Sequence, residues 1–499
     1  MEFNLSNFKE EKILTLRKYL FFIIIIFSSL QLIISSFEIE CFYILILIIA
    51  SSIFVINFVS EENFKYYLFP TFIILSLYFS CLLGPLIFKT LFFQKISSNL
   101  YYPLNTFFNF TIYQIVICFS MLTLKYFKIF KLSKINFLKN FKIFENLNEK
   151  NILIFLILIF LVRFYTGYVD QGINQNTDSG DIFARILEGM EKFIYIPLLF
   201  LLYDNIKNSK IEKKFIIILI CYFLYSIFLS LSLNQRSHFF EFLFVLLFFI
   251  SIATLYFEIK IFKFIFFISL IITFITPYLS KTILVNREFK DELSASDLIT
   301  KSVKKNEYIE YKIKSTSDEN YTENAIVDRL ILIKYFDRSY FLTKNFSDIH
   351  KLSIKEFTKS RTIAVLPQNI INLFLDDFDK KDYMISMGSF TERLNGMVGG
   401  NFSIGSFLME SKLLFGKFYL LSIYILFLIL FIFLQQFQKF KDNRIIYSYL
   451  PFILTLEIYH LCMSDSMVDF FYIFRTLIQY SILYFFVTYF LRIKRSNEN

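Results

Sequence analysis

The sequence predicts an all-α polytopic membrane protein with about twelve transmembrane helices and a large, mostly helical loop between the ninth and tenth. Three observations indicate this fold class. Hydrophobic residues make up 56% of the 499 residues, the mean hydropathy is +0.55, and apolar runs recur at nearly regular intervals. Charged residues make up only 19%, which is too little polar surface for a soluble chain of this length.

A transmembrane helix needs about 20 mostly apolar residues. The candidate spans are residues 19–36, 41–58, 66–88, 104–124, 151–169, 186–203, 215–233, 239–257, 264–284, 413–434, 446–464 and 470–491. They divide the chain into helices 1–9 (residues 1–279), a loop (280–411), and helices 10–12 with the C-terminal tail (412–499). One of the weaker spans, 104–124 or 186–203, could be partly interfacial.

Basic residues cluster in every second connection between these spans. They include Lys125 to Lys142, Lys207 to Lys214, Lys260, Lys263, Lys439, Lys441, Arg444, Arg492, Lys494 and Arg495. Cytoplasmic loops of membrane proteins carry an excess of Lys and Arg. We therefore predict a multi-pass membrane protein with both termini cytoplasmic. The net charge of +10 follows from this distribution and does not indicate nucleic-acid binding.

If the twelve spans alternate in direction, residues 280–411 lie on the outer side. A connection of about 130 residues is far longer than usual. Apolar residues at helical spacing predict a helix over 324–341, with Ile326, Leu330, Ile333 and Phe336 on one face. A second short amphipathic helix is predicted over 369–378.

Arginines on the outer side are the first candidates for function, because the positive-inside bias does not explain them. The planar guanidinium binds phosphate in a bidentate manner. The predicted substrate-binding arginines are Arg163, Arg236, Arg287, Arg361 and Arg393. The alternative interpretation is that some outer arginines are ordinary surface charges. It applies best to Arg329 and Arg338, because acidic residues adjoin them in the sequence.

Carboxylates at the outer ends of spans are the candidate catalytic bases: Glu191, Glu241 and Glu410. Each could instead extend to water without taking part in chemistry. The glycines Gly399 and Gly400 precede the tenth span, where exposed backbone amides can bind an anion. A simple turn into the membrane is the alternative for these glycines.

Metal and cofactor chemistry is not predicted. His238, His350 and His460 do not share a helix, and the five cysteines show no metal-ligand spacing. The chain also lacks a phosphate loop, a dinucleotide fingerprint and a nucleophile elbow.

The layout resembles the Wzy-type O-antigen (oligosaccharide repeat unit) polymerases. The resemblance lies in about twelve helices, both termini inside, and one large outer loop before the last three helices. Local stretches that are similar are residues 163–168, 234–237 and 399–405 followed by Glu410 and Gly416. The arginine-to-glycine spacing of some members is not met, since Arg393 precedes Gly405 by one residue too many.

The resemblance implies a membrane glycosyltransferase of the bacterial inner membrane. At the outer face of that membrane it would join undecaprenyl-pyrophosphate-linked repeat units into a surface polysaccharide such as that of lipopolysaccharide. Arginines would stabilise the pyrophosphate leaving group and a carboxylate would take the proton of the attacking hydroxyl. Partners would be the lipid-linked substrates, the membrane, and a chain-length regulator and flippase of the same pathway.

Two alternatives remain. An O-antigen ligase has a similar layout and would use a loop histidine, here His350, although Ser347 and Asp348 suggest that this stretch instead begins a helix. A transporter, such as a flippase for lipid-linked sugars, would also have twelve helices. It would place charges within the membrane, where Glu457 and Arg475 are the clearest examples.

Overall fold

The computed structural model describes residues 1–128, 138, 143–144, 191–208, 213–232, 237–258, 321–322, 327–366, 368–375, 377–383, 385–397, 404–461 and 465–496. These residues are mostly helical, as predicted. The helices before the loop are α1 Glu10–Ile34, α2 Ile39–Phe58, α3 Glu61–Tyr66, α4 Leu68–Tyr78, α5 Gly84–Leu91, α6 Pro103–Tyr126, α7 Tyr195–Lys207, α8 Lys213–Ser232 and α9 Ser237–Tyr256.

The remaining helices belong to the loop and the C-terminal spans. They are α10 Val327–Leu330, α11 Ile333–Thr343, α12 Asp348–Ala364, α13 Gln368–Ile371, α14 Met387–Leu394, α15 Phe407–Phe415, α16 Tyr419–Leu434, α17 Leu450–Ile453, α18 Thr455–Leu461 and α19 Val468–Ser496. The strands are β1 Glu2–Asn4, β2 Gln438–Lys441 and β3 Arg444–Tyr447.

Among the described residues, seven helices are long and apolar enough to cross a membrane. They are Glu10–Ile34, Ile39–Phe58, Leu68–Leu91, Pro103–Tyr126, Ser237–Tyr256, Phe407–Phe437 and Val468–Tyr489. Each overlaps a predicted span, and Pro103–Tyr126 is a full helix although its sequence signal is weak. A shorter apolar helix covers Phe215–Leu231. The predicted spans 151–169 and 264–284 lie outside the described residues.

Two predicted spans are not single long helices. Over 186–203, a 3₁₀ turn (Glu191–Ile194) leads into the 13-residue α7. Over 446–464, the chain forms α17 and α18, which are interrupted at Leu454. Hydropathy does not detect such a break because the apolar side chains continue through it.

One end of the helix bundle carries a small sheet, and we call it the sheet face. β3 pairs with both β1 and β2 in antiparallel fashion, with Phe3 opposite Ile445. The hairpin is joined to the α3 connection, because the Gln438 side chain donates to the Tyr66 carbonyl at 2.6 Å. The Lys12 ammonium donates to the Thr254 carbonyl at 2.7 Å. The beginning of α1 and the ends of α9 and α16 therefore meet at this face.

The loop helices cover the opposite end, the loop face. Asp337 of α11 accepts hydrogen bonds from the amides of Tyr101 (2.6 Å) and Tyr102 (2.9 Å) and from the Thr106 hydroxyl (2.9 Å) at the beginning of α6. Burial raises the pKa of this carboxyl, although these donors oppose the effect. Tyr321 adds a hydrogen bond from its hydroxyl to the Ile96 carbonyl at 2.8 Å. The described part of the loop is thus fixed to the bundle.

A π-helical turn in the third span provides another attachment point. Residues Phe79–Leu83 shift the hydrogen bonding so that the Gly84 amide donates to Phe79 instead of Ser80. The Ser80 carbonyl then accepts from the Leu332 amide at 3.1 Å. Gly84 is required here, since an added Cβ would lie 2.5 Å from the Phe79 oxygen.

The helix predictions within the loop are confirmed in part. Ile333 and Phe336 are buried on the predicted face of α11, but the helix is interrupted at Ile331 and Leu332, where Leu332 bonds to Ser80. The predicted helix over 369–378 is wrong beyond its first turn. Only α13 is helical there, and turns follow it.

Candidate functional site

A group of carboxylates and one arginine joins the loop to the last span. We call Arg361, Glu410 and Asp465 the Asp465 cluster. Arg361, in the last turn of α12, lies 3.0 Å from the Asp465 carboxylate. Asp465 lies three residues before the first residue of α19, and Glu410 lies in the first turn of α15. The cluster therefore connects the loop to two C-terminal spans.

Asp465 also accepts three backbone hydrogen bonds. The donors are the amides of Met387 (2.6 Å), Gly388 (3.1 Å) and Gly405 (2.5 Å). Met387 and Gly388 open α14, so the carboxylate lies at a helix N-terminus, where negative charge is favourable. A Cβ on Gly405 would lie 2.8 Å from Asp465. The backbone amides of this glycine-containing stretch thus bind an anion that the chain itself supplies.

Glu410 is buried, and both of its carboxylate oxygens accept hydrogen bonds. The Thr358 hydroxyl (2.6 Å) and the Ser466 hydroxyl (3.1 Å) donate to one carboxylate oxygen, and the Met467 amide (2.6 Å) donates to the other. A neighbouring cavity is lined by Ser339, Thr391, Gly405 and Glu410, among others. The volume open to the centre of a water molecule there is about 10 Å³, room for about one water and too small for a sugar.

A second polar group lies between α7, α9 and α18. We call Lys192, His238, Glu241 and Glu457 the Lys192 cluster. The Lys192 ammonium contacts the Glu457 carboxylate and lies 3.3 Å from that of Glu241. The His238 ring nitrogen lies 3.9 Å from the other Glu241 oxygen.

Among the residues that the structure describes, the Lys192 cluster holds more carboxylates than ammonium groups. One ammonium serves two carboxylates, and Glu457 Oε2 is buried with no hydrogen-bond partner among the described residues. Unpaired buried carboxylate oxygens are costly, so they are rare outside sites that bind or react. The cluster is therefore suited to accept a proton or to hold a ligand with a hydrogen-bond donor.

The Lys192 cluster is recessed beneath the loop face. From Glu241 to Tyr256, at the sheet face, α9 rises about 22 Å, at about 1.5 Å per residue. The hydrocarbon core of a bilayer is about 30 Å thick. Ionisable residues at such depth are expensive, and their presence suggests a function.

The structure brings together only some of the predicted site residues. Glu410 and Arg361 share the Asp465 cluster, whereas Glu241 belongs to the Lys192 cluster. Arg393, at the end of α14, is exposed and belongs to neither. Glu191 begins the 3₁₀ turn next to Lys192. The remaining predicted residues, Arg163, Arg236, Arg287, Gly399 and Gly400, lie outside the described residues.

Three important residues were not among the sequence candidates. Asp465 directly follows the eleventh predicted span, and the polar run Ser464-Asp465-Ser466 is the sequence signal that marks it. Lys192 adjoins the predicted base Glu191 in the sequence, and its ammonium contacts the carboxylates of Glu241 and Glu457. Glu457 was noted only as an unusual charge within a span.

His350 has the structural role that its neighbours suggested. Ser347 caps α12, its hydroxyl accepting from the His350 amide, and the His350 ring completes a capping box with the Ser347 backbone. For Arg338, the alternative to phosphate binding was an ordinary surface charge. The Arg338 guanidinium lies 2.7 Å from the carboxylate of Glu392.

Within the described ranges, no three His, Cys, Asp or Glu side chains gather as metal ligands would. Comparison with known protein families, curated proteins and solved structures finds no match to this chain.

Proposed function

We propose that this protein is a membrane glycosyltransferase that polymerises oligosaccharide repeat units carried on a lipid pyrophosphate. The observation that supports the proposal best is the Lys192 cluster, in which one cation lies between two carboxylates and one oxygen of Glu457 has no hydrogen-bond partner among the described residues. The reaction needs both a cation for the leaving pyrophosphate and a base for the attacking hydroxyl.

In the proposed reaction, an acceptor hydroxyl attacks the anomeric carbon of the donor sugar. The new glycosidic C–O bond forms as the bond from the anomeric carbon to the pyrophosphate oxygen breaks. That oxygen leaves with the electron pair, and the Lys192 ammonium stabilises its charge. Glu457 or Glu241 accepts the hydroxyl proton. Further positive charge would come from the arginines predicted to bind substrate.

The charge distribution supports an orientation with the loop on the non-cytoplasmic side. Basic residues are frequent at the sheet face, including Lys9, Lys12, Lys65, Lys125, Lys207, Lys439, Lys441 and Arg444. By the positive-inside rule, this face would be cytoplasmic. Lipid-linked repeat units would then meet beneath the loop on the opposite side.

A gene deletion followed by gel analysis of surface glycan tests the proposal. Loss of a polymerase leaves single repeat units on their anchor, and complementation with the wild-type chain restores the ladder of long chains. Long chains that persist after deletion would contradict the proposal. Long chains retained on the lipid carrier would indicate a ligase, for which the capping role of His350 provides no support.

A transporter of lipid-linked sugars is the second candidate, because the Lys192 cluster lies within the membrane thickness, where transporters bind their substrates. Deletion of a flippase would abolish surface glycan altogether, which distinguishes the two. The loop helices fixed over the bundle by Asp337 and Asp465 favour the enzyme, since a transporter does not need them.

A further inference from the structure

The loop contains an apolar tip that the bundle does not cover. After α12, residues 366–375 (sequence LPQNIINLFL) expose several large hydrophobic side chains. Leu373 is 75% exposed and Phe374 is 78% exposed. Leu366, Ile370 and Leu375 are also exposed. A cluster of exposed apolar residues of this kind marks a surface that meets another apolar partner.

The position of the tip relative to the last span identifies that partner. Arg475 of α19 donates from Nη1 to the Val365 carbonyl at 2.6 Å. From Val468 to Arg475, α19 advances about 10 Å, at about 1.5 Å per residue. Arg361, one turn earlier in α12, pairs with Asp465 ahead of the span. The C-terminal end of α12 therefore lies beside the first turns of α19, and the tip begins alongside the span.

The backbone of the tip is suited to an environment without water. The Asn372 amide donates to the Gln368 carbonyl at 2.9 Å, and the Leu373 amide to the Ile370 carbonyl at 3.2 Å. The amides of Phe374 and Leu375 both donate to the Ile371 carbonyl at 2.9 Å. Backbone within hydrocarbon must satisfy its polar groups internally, and these amides do so.

Polar residues mark where the chain returns to water. Asp377 and Asp379 follow the tip and are exposed. The Gln368 side chain closes the base of the tip, donating to the Phe378 carbonyl at 2.7 Å and accepting from the Lys380 amide at 3.2 Å. The tip is thus a closed structure with an apolar end and a charged base, as in interfacial membrane anchors.

We propose that residues 366–375 insert into the leaflet on the loop face and that lipid acyl chains surround Leu373 and Phe374. This anchor holds the C-terminal end of α12 at a fixed depth. The inference does not depend on the chemistry proposed above, because it follows from the position and exposure of these residues alone.

The chain contains no tryptophan, so one introduced tryptophan is a unique reporter. Phe374→Trp places it at the tip. Ile349→Trp is the matched control, because Ile349 is 76% exposed at the opposite end of α12. Each variant is reconstituted in vesicles of phosphatidylcholine, with or without bromine atoms at the middle of the acyl chains, and titrated with aqueous iodide.

We expect bromolipid to remove most of the Phe374→Trp emission and iodide to leave it unchanged. The Ile349→Trp variant should show the reverse. Quenching of Phe374→Trp by iodide but not by bromolipid would overturn the proposal, as would protection from both quenchers, which would indicate a protein partner. Leu373→Trp repeats the measurement if Phe374→Trp does not fold, with the same outcomes deciding.

Discussion

The Asp465 cluster and the Lys192 cluster contain similar charged residues, but their hydrogen bonding differs. Asp465 accepts from Arg361 and three backbone amides, and both Glu410 oxygens have donors. In the Lys192 cluster, one ammonium serves two carboxylates and Glu457 Oε2 lacks a partner among the described residues. Complete pairing indicates a structural role, whereas incomplete pairing leaves capacity for a ligand or a proton.

The largest expected effect is on stability, at Glu410. Glu410→Gln replaces one acceptor oxygen by an NH2 group, which would face a donor in a buried site. We expect a loss of about 3 kcal/mol in the free energy of unfolding, because buried donors lose their partner. Heating in detergent followed by size-exclusion chromatography measures it. Glu356→Gln, on the exposed face of α12, is the control and should be unchanged. If both variants unfold at the wild-type temperature, Glu410 is not structural.

The next effect is on activity, at Glu457. Glu457→Gln keeps the shape and a hydrogen-bonding group but removes the base. Under the proposed function, we expect chain extension to fall by about 100-fold, with the unfolding temperature close to that of the wild type. Glu40→Gln, at an exposed position, controls for expression and should extend chains normally. Normal extension by Glu457→Gln would show that the unpaired oxygen is not used.

A smaller effect is expected at Arg361, and it tests whether this residue is structural or binds pyrophosphate. Arg361→Lys keeps the charge but lacks the planar fork, so the contact with Asp465 is weakened and stability should fall by about 1 kcal/mol. If Arg361 is structural, chain extension per folded molecule stays near wild type. A loss of extension with unchanged stability would instead support the original prediction that Arg361 binds pyrophosphate.

The same contrast explains what could be predicted from the sequence. Spans such as Ile39–Phe58 follow from runs of apolar residues, and the cap at Ser347 follows from local spacing. Arg361 and Asp465 pair across 104 residues, so neither local spacing nor hydropathy brings them together. The partners of Lys192 likewise depend on how α9 and α18 pack. Local sequence patterns predicted the helices and their caps, whereas tertiary packing determines which charged side chains pair.

The smallest effect concerns pH at Asp337, where burial raises the pKa above its ordinary value of 3.8. The folded protein then binds the proton more readily than the unfolded chain. The stability that Asp337 contributes is therefore greatest below pH 3.8 and is lost as the pH rises through the folded pKa.

Asp337→Asn removes this titration, although it also alters a hydrogen bond at every pH. The difference in unfolding temperature between wild type and variant should grow in favour of wild type by about 1–2 °C as the pH falls from 7 towards 4. Asp348→Asn is the opposite control, since the hydrogen bond from Lys351 lowers the pKa of Asp348 and any contribution is lost as the pH falls. A pH-independent difference for Asp337→Asn would contradict this prediction, because it would mean that the hydrogen bonds from Tyr101, Tyr102 and Thr106 offset burial and leave the pKa of Asp337 equal in the folded and unfolded states.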